Sequence, residues 1–184
     1  MLALWIALGI VGVLLLAFVL VYNRLVRNRN RVDNAWAGID VQLRRRYDLI
    51  PNLVETVKGY AAHERKLFEE VTRARAQGIE AEGIDQQAAA ENEITRGLRQ
   101  LFAVAENYPQ LRANENFLAL QEELTATESK IAFARQFYND QVLRYNTLIQ
   151  QFPSLIVARM TSHTTRDFFE IEEGSRAPVE VDLS

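Results

Sequence analysis

Residues 2–22 read LALWIALGIVGVLLLAFVLVY and contain no charged side chain. A helix rises about 1.5 Å per residue, so the run would extend about 31 Å, which matches the hydrocarbon core of a bilayer. A cleaved signal peptide has a basic start, a shorter apolar core and a small-residue cleavage site, and this run has none of them. A buried helix of a soluble domain is rarely apolar on every face. The sequence therefore predicts a retained transmembrane anchor over residues 1–23.

Basic residues follow the apolar run at once, and none precedes it. They are Arg24, Arg27, Arg29 and Arg31. Because Lys and Arg concentrate on the cytoplasmic side of membrane segments, we expect the amino terminus outside and the rest of the chain in the cytoplasm. The same arginines would suit anionic lipid headgroups, or they would only set the topology.

Charge and cysteine content exclude several classes of protein and of binding site. The formal charge of −3 excludes the strongly basic signature of a nucleic-acid binder, so we expect no nucleic-acid partner. The chain has no cysteine, which excludes disulfides and thiolate metal sites. The residues after the anchor suffice for one domain with a real core.

Apolar residues recur every three or four positions after the anchor, which is the spacing of one helix face. The first stripe is Val32, Trp36, Ile39, Leu43, Tyr47, Ile50, Val54, Val57 and Ala61. Pro51 interrupts this stripe, and we expect a kink there. Shorter stripes follow over residues 64–77 and 85–105, and a long one runs from Phe117 to Phe152.

These patterns predict an all-α protein. A single transmembrane helix would precede an elongated antiparallel up-down bundle of three to four long helices over residues 24–160. We expect the polar, acidic tail over residues 161–184 to be extended or disordered.

No catalytic motif is present. Carboxylate-bridged metal sites in helix bundles use Glu-x-x-His pairs, but Tyr60 and Met160 stand three residues before the two histidines. Nucleotide-binding loops, zinc-peptidase motifs and nucleophile elbows are also missing from the sequence. We therefore expect no enzymatic activity, no cofactor and no metal.

Polar residues beside the stripes are candidate interface or bundle-holding positions. Asp40, Arg44 and Asp48 recur every four residues, and Arg135, Asn139, Arg144 and Asn146 flank the last stripe. They would form either hydrogen bonds at the bundle edge or a polar docking strip. The aromatic residues Trp36, Tyr60, Phe102, Tyr138 and Tyr145 are expected in the core.

Two segments resemble a known family. The first segment, residues 41–60, reads VQLRRRYDLIPNLVETVKGY. The second reads TESKIAFARQFYN over residues 127–139 and continues as VLRYNTLIQQFP over residues 142–153. With the anchor and the tail motif FFE at residues 168–170, they closely resemble the bacterial LemA family. The positions that match its pattern are Arg45, Arg46, Pro51, Asn52, Arg135, Asn139 and Asn146. One departure is residues 160–165, MTSHTT, where the family often has prolines and basic residues.

The resemblance implies a membrane-anchored antiparallel four-helix bundle of the bacterial envelope, without established catalysis. We expect a non-enzymatic scaffold in the inner membrane whose partners are the lipid bilayer, further copies of the chain and other membrane proteins such as peptidases. The alternatives are a homo-oligomer that shapes the bilayer and, more remotely, an enzyme with an unrecognised metal site.

Overall fold

A computed structural model describes residues 1–170, which form six helices and no strand. The helices are α1 (Leu2–Lys58), α2 (Arg65–Glu80), α3 (Ile84–Glu106), α4 (Pro109–Arg112), α5 (Glu115–Gln150) and α6 (Ser154–Met160). The predicted all-α class, with one long apolar helix at the amino terminus, is confirmed. The last part of the predicted tail, residues 171–184, lies outside the described residues.

α1 is a single helix of 57 residues that contains both the apolar run and the first stripe. Its most apolar stretch has a mean hydropathy of 3.0 and is not covered by any other part of residues 1–170. Among residues 1–170, it is the one helix long and apolar enough to cross a membrane. Pro51 lies within α1 with helix on both sides of it, while the kink expected there stays a prediction.

The chain divides into two compact units, and unit 1 contains Met1–Val41 and Ile131–Phe168. In it α1 and α5 run antiparallel, and the rings of Trp36 and Tyr138 meet edge-on with centroids 5.4 Å apart. Leu25, Val32, Ile39, Ile131, Tyr138, Val142 and Tyr145 form its core. The placement of Phe152 on the buried stripe is wrong, because α5 ends at Gln150 and leaves that ring 81% exposed.

Unit 2 contains Gln42–Lys130 together with the start of the segment after Phe168. Its core combines the second half of α1, the α2–α3 hairpin and the first half of α5 around Leu43, Ile50, Val71, Ile94, Leu101, Phe117 and Leu124. Gly97 lets α2 and α3 approach closely, since a Cβ at that position would lie 2.6 Å from Val71 Cγ2.

Tyr60 is not a core residue, which corrects the expectation for that ring. α1 ends at Lys58, so Tyr60 falls in the following turn and is 41% exposed. Its hydroxyl accepts a hydrogen bond of 3.1 Å from Asn114 Nδ2.

Candidate functional site

The predicted site residues differ in how far they are exposed to solvent. Those flanking the membrane, Arg24, Arg27, Arg29 and Arg31, are all exposed on α1. Of the motif positions, Arg44, Arg45, Pro51, Asn52 and Arg144 are exposed, Asp40, Arg135, Asn139 and Asn146 are half-buried, and Arg46 is buried. The three consecutive arginines therefore differ in role, because Arg45 pairs with Glu123 at the surface at 2.6 Å while Arg46 points into the core.

Arg46 is the centre of a buried polar cluster in unit 2. Its Nη1 lies 2.9 Å from Glu91 Oε2, and its Nη2 donates a 2.9 Å hydrogen bond to Thr95 Oγ1. Glu128, which is half exposed, adds a second carboxylate at 3.1 Å from Nη2. A buried charge persists only when it is paired and hydrogen-bonded. Partners on α3 and α5 serve both Nη atoms of Arg46, whereas its buried Nε has no hydrogen-bond partner among the described residues.

Tyr47 and Gln87 complete the cluster on the other side of Glu91. The Tyr47 hydroxyl donates to Glu91 Oε1, and Gln87 Nε2 donates to Tyr47 Oη at 2.6 Å. A Cβ at position 78 would lie 2.6 Å from that hydroxyl oxygen, so the glycine in α2 makes room for it. The cluster thus joins α1, α2 and α3 through polar groups that would lose their partners if these helices separated.

Burial is the largest cause of the pKa shifts of Glu91 and Tyr47 in this cluster. It raises the pKa of Glu91, while the Arg46 guanidinium and the hydroxyl of Tyr47 oppose that rise. Burial and the neighbouring carboxylate of Glu91 raise the pKa of Tyr47 far above its ordinary value, which keeps the phenol protonated as a donor. Glu91 is 0% exposed, so its carboxylate is enclosed by its partners and has no open face for a substrate.

Glu91 was not predicted from the sequence, although a signal was present. It stands three residues before Ile94 and four after Gln87, on the same face as the apolar stripe of α3. A carboxylate on a core-facing stripe needs a buried partner, and the basic residues of α1 offered one.

A second polar cluster lies in unit 1 and ties the segment after α6 to α5. Asn146 Nδ2 donates to the Arg166 carbonyl at 2.8 Å, and the Arg166 amide donates back to Asn146 Oδ1 at 2.9 Å. The Tyr138 hydroxyl donates to the Asp167 carbonyl at 2.9 Å, and its burial raises the pKa of Tyr138 to about 12. Arg166 also pairs with Asp33 of α1 at 3.0 Å. Residues 161–168 are therefore bound to α5 without helix or strand structure of their own.

His163 links this segment to the end of the apolar run. Its Nδ1 lies 3.0 Å from the Tyr145 hydroxyl, and its ring meets the ring of Tyr22 with centroids 6.5 Å apart. Burial lowers the pKa of His163, and the Arg29 guanidinium lowers it further.

An exposed aromatic pair on α5 is the most unusual surface feature of unit 1. Phe133 is 74% exposed and Phe137 is 57% exposed. The two rings are four residues apart and so lie on one face of the helix, and we call them the aromatic patch. Asp140 and Arg144 continue the same face by one turn each. These rings were not singled out from the sequence, although neither falls on the buried stripe of α5.

The described residues contain no candidate metal centre. Across residues 1–170, no group of three or more His, Asp or Glu side chains is arranged to hold an ion.

Comparison with models of protein families shows to which family this chain is related. The model of the LemA family matches residues 35–183. The chain belongs to the LemA family. The resemblance found in residues 41–60 and 127–153 is thereby confirmed, and the match covers both units of this LemA-family chain.

Curated relatives carry two kinds of name. Magnetosome proteins MamQ 1 and MamQ 2 of Paramagnetospirillum magneticum are each 24% identical over 184 aligned positions, covering 86% of this chain and 68% of theirs. Protein LemA of Metamycoplasma hominis is 24% identical over 176 positions, covering 95% of this chain and 79% of its own. None of these names denotes an enzyme, and together with the apolar helix they indicate a membrane-associated helical protein.

Proposed function

We propose that this LemA-family protein is a non-enzymatic, membrane-anchored scaffold that associates with further copies of itself through the aromatic patch. The observation that carries this proposal is the exposure of Phe133 and Phe137, 74% and 57%, on a domain tethered by an apolar helix. Aromatic side chains are enriched at protein interfaces and are costly to leave in water as a pair.

A second copy of the chain is the partner that suits this surface. Anchored copies stand parallel and at the same height, so a two-fold interface places each patch against the same residues of the other copy. Confinement to the membrane raises the effective concentration, so a modest interface suffices.

For the location, we infer the bacterial inner membrane, with the amino terminus outside and both units in the cytoplasm. The exposed Arg24, Arg27, Arg29 and Arg31 directly after the apolar run support this orientation. Other membrane proteins, such as peptidases, are further partners that a scaffold of this kind would hold.

Cysteine crosslinking tests the proposed interface, because the chain has no cysteine of its own. Asp140→Cys places a thiol beside both intact rings, and Asn34→Cys is the matched control on α1. The control stands at the same height, since Trp36 packs on Tyr138 and the helices are antiparallel. We expect oxidation of native membranes to give disulfide dimers for D140C and not for N34C, and fewer dimers when Phe133→Ser and Phe137→Ser are added. Equal crosslinking of the two variants, or no crosslinking of D140C, would overturn the proposal.

A second candidate function is bilayer shaping by ordered homo-oligomers. It is supported by the continuity of α1, which runs as one helix from the apolar run to Lys58, and by the exposed arginines at its base. Electron microscopy of the full chain in liposomes distinguishes the two, because shaping requires arrays or altered curvature. Smooth vesicles bearing scattered particles would reject shaping and leave the scaffold in place.

A further inference from the structure

A second apolar surface of unit 1 lies at the end of α5 and along α6. Phe152 is 81% exposed, Ile156 is 52% exposed and Met160 is 70% exposed. These side chains recur every four residues, so Ile156 and Met160 share one side of α6 and Phe152 precedes them in the connecting turn. We call the three residues the α6 edge.

The helix register places the α6 edge at the height of the bilayer surface. Tyr22, the last residue of the apolar run, comes 14 residues before Trp36, and Phe152 comes 14 residues after Tyr138. Because Trp36 packs on Tyr138 between antiparallel helices, Tyr22 lies about 21 Å from that contact. Gln150, the last residue of α5, lies about 18 Å from it on the same side, and Phe152 follows in the turn. The ring contact of Tyr22 with His163, three residues after α6, agrees with this height.

Burial along α1 supplies an independent indication. Residues 2–17 are all exposed, whereas Phe18 and Val21 are half-buried and Leu25 is completely buried. These three positions share the helix face that continues to Val32 and Ile39. The protein body therefore covers α1 from a point inside the apolar run, which lies in the membrane when the anchor is inserted.

We propose that the α6 edge is a second membrane contact, inserted into the interfacial layer of the bilayer beside the anchor. Phe152, Ile156 and Met160 would enter the boundary between headgroups and acyl chains, as the apolar face of an interfacial helix does. Arg159 on α6, with Arg24 and Arg27 of α1, would meet anionic headgroups at the same level. The lipid is favoured over a second copy of the chain because this edge stands level with the membrane-embedded part of α1. The contact does not depend on self-association.

Depth-dependent fluorescence quenching tests this contact in the full chain. Single cysteines at Phe152→Cys, Ile156→Cys and Met160→Cys are labelled with an environment-sensitive dye and reconstituted in vesicles of phosphatidylethanolamine and phosphatidylglycerol. The matched control is Phe133→Cys, which is equally exposed but lies at the height of Val41, about 28 Å from Tyr22 along α1. Far-UV circular dichroism verifies that each variant keeps its helix content.

We expect the labels at positions 152, 156 and 160 to lie in the lipid and the label at position 133 to lie outside it. Lipids carrying a nitroxide on the acyl chain should quench them several-fold more strongly than the control. Equal nitroxide quenching at 133 and 160 would overturn the proposal. So would labels that are protected from aqueous iodide without being quenched by nitroxide lipids, because that result would show a protein partner on the α6 edge.

Discussion

Arg46 and Glu91 form an ion pair with Nη1 and Oε2 2.9 Å apart, and their exposed fractions are 2% and 0%. A pair buried this deeply contributes little net stability, since desolvation offsets the attraction. Any packing of α1 on α3 that separates the two side chains leaves an isolated charge in the core, so we expect the pair to act on the specificity of packing.

Removing one partner of this pair should be far more damaging than removing both. We predict that Arg46→Met lowers the free energy of unfolding by about 3–5 kcal/mol, because Glu91 is left buried without its cation. Arg46→Met with Glu91→Gln should recover much of that loss. The neighbouring Arg45→Met is the control, and its exposed pair with Glu123 should change stability by about 1 kcal/mol or less. Denaturant unfolding in detergent, followed by circular dichroism, measures all three, and equal losses for the two single variants would refute the prediction.

The loss in free energy of unfolding caused by Arg46→Met should depend on pH. The guanidinium lowers the pKa of Glu91, so its removal moves that pKa further above the ordinary 4.5. Between the unfolded and the folded pKa the native state binds more protons, and stability therefore falls as pH rises through that window. We predict a stability deficit relative to wild type that grows as the pH rises above about 4.5, and that does not grow in the Arg46→Met, Glu91→Gln double variant. A deficit independent of pH would show that Glu91 is not the group responsible.

Asn146 should hold residues 161–168 against α5. Its side chain makes both a donor and an acceptor bond to the main chain of Arg166, and each is worth about 1 kcal/mol. We predict that Asn146→Ala speeds amide hydrogen exchange in residues 163–168 while leaving the exchange of α3 unchanged. Asn34→Ala, an exposed asparagine on α1, is the control. Unchanged exchange in that segment would mean that other contacts hold it.

Two helix glycines should respond to alanine with opposite signs. Gly38 has open space around it, so Gly38→Ala should stabilise the protein by up to about 1 kcal/mol through helix propensity. At Gly97 the new methyl would lie 2.6 Å from Val71 Cγ2, so Gly97→Ala should destabilise despite the same propensity gain. Adding Val71→Ala should reverse part of that loss. If Gly97→Ala stabilised the protein as Gly38→Ala does, without the Val71→Ala change, α2 and α3 would be able to move apart at no cost.

Periodicity was sufficient to predict the long helices, although not the short helix α4. Val32, Ile39, Ile50, Ile131 and Val142 are all buried at the positions that the three- and four-residue spacing assigns to the core. The spacing was less informative at helix ends, because it does not reveal where a helix stops. Phe152 continues the pattern beyond Gln150 but is exposed. Tyr60, which was expected in the core, falls beyond Lys58 and is exposed as well.

Candidate site residues were harder to predict, because a polar residue near a stripe has several possible partners. Arg46 stands three residues after Leu43 and four before Ile50, so the spacing places it on the face of the apolar stripe. The spacing does not show which groups from elsewhere in the chain pair with it there. Glu91 and Gln87, which supply that environment, are separated from Arg46 by about 40 residues or more. Such long-range pairing is a tertiary property that local spacing does not contain.

Counting subunits in a membrane tests whether the chain associates with further copies of itself through the aromatic patch. The full chain carrying Asn34→Cys, labelled with one fluorophore and reconstituted at low density in supported bilayers, would be observed by single-molecule photobleaching. We predict diffusing spots that bleach in two or more steps, and single-step spots when Phe133→Ser and Phe137→Ser are added. Single-step bleaching of the chain with its aromatic patch intact would contradict the account.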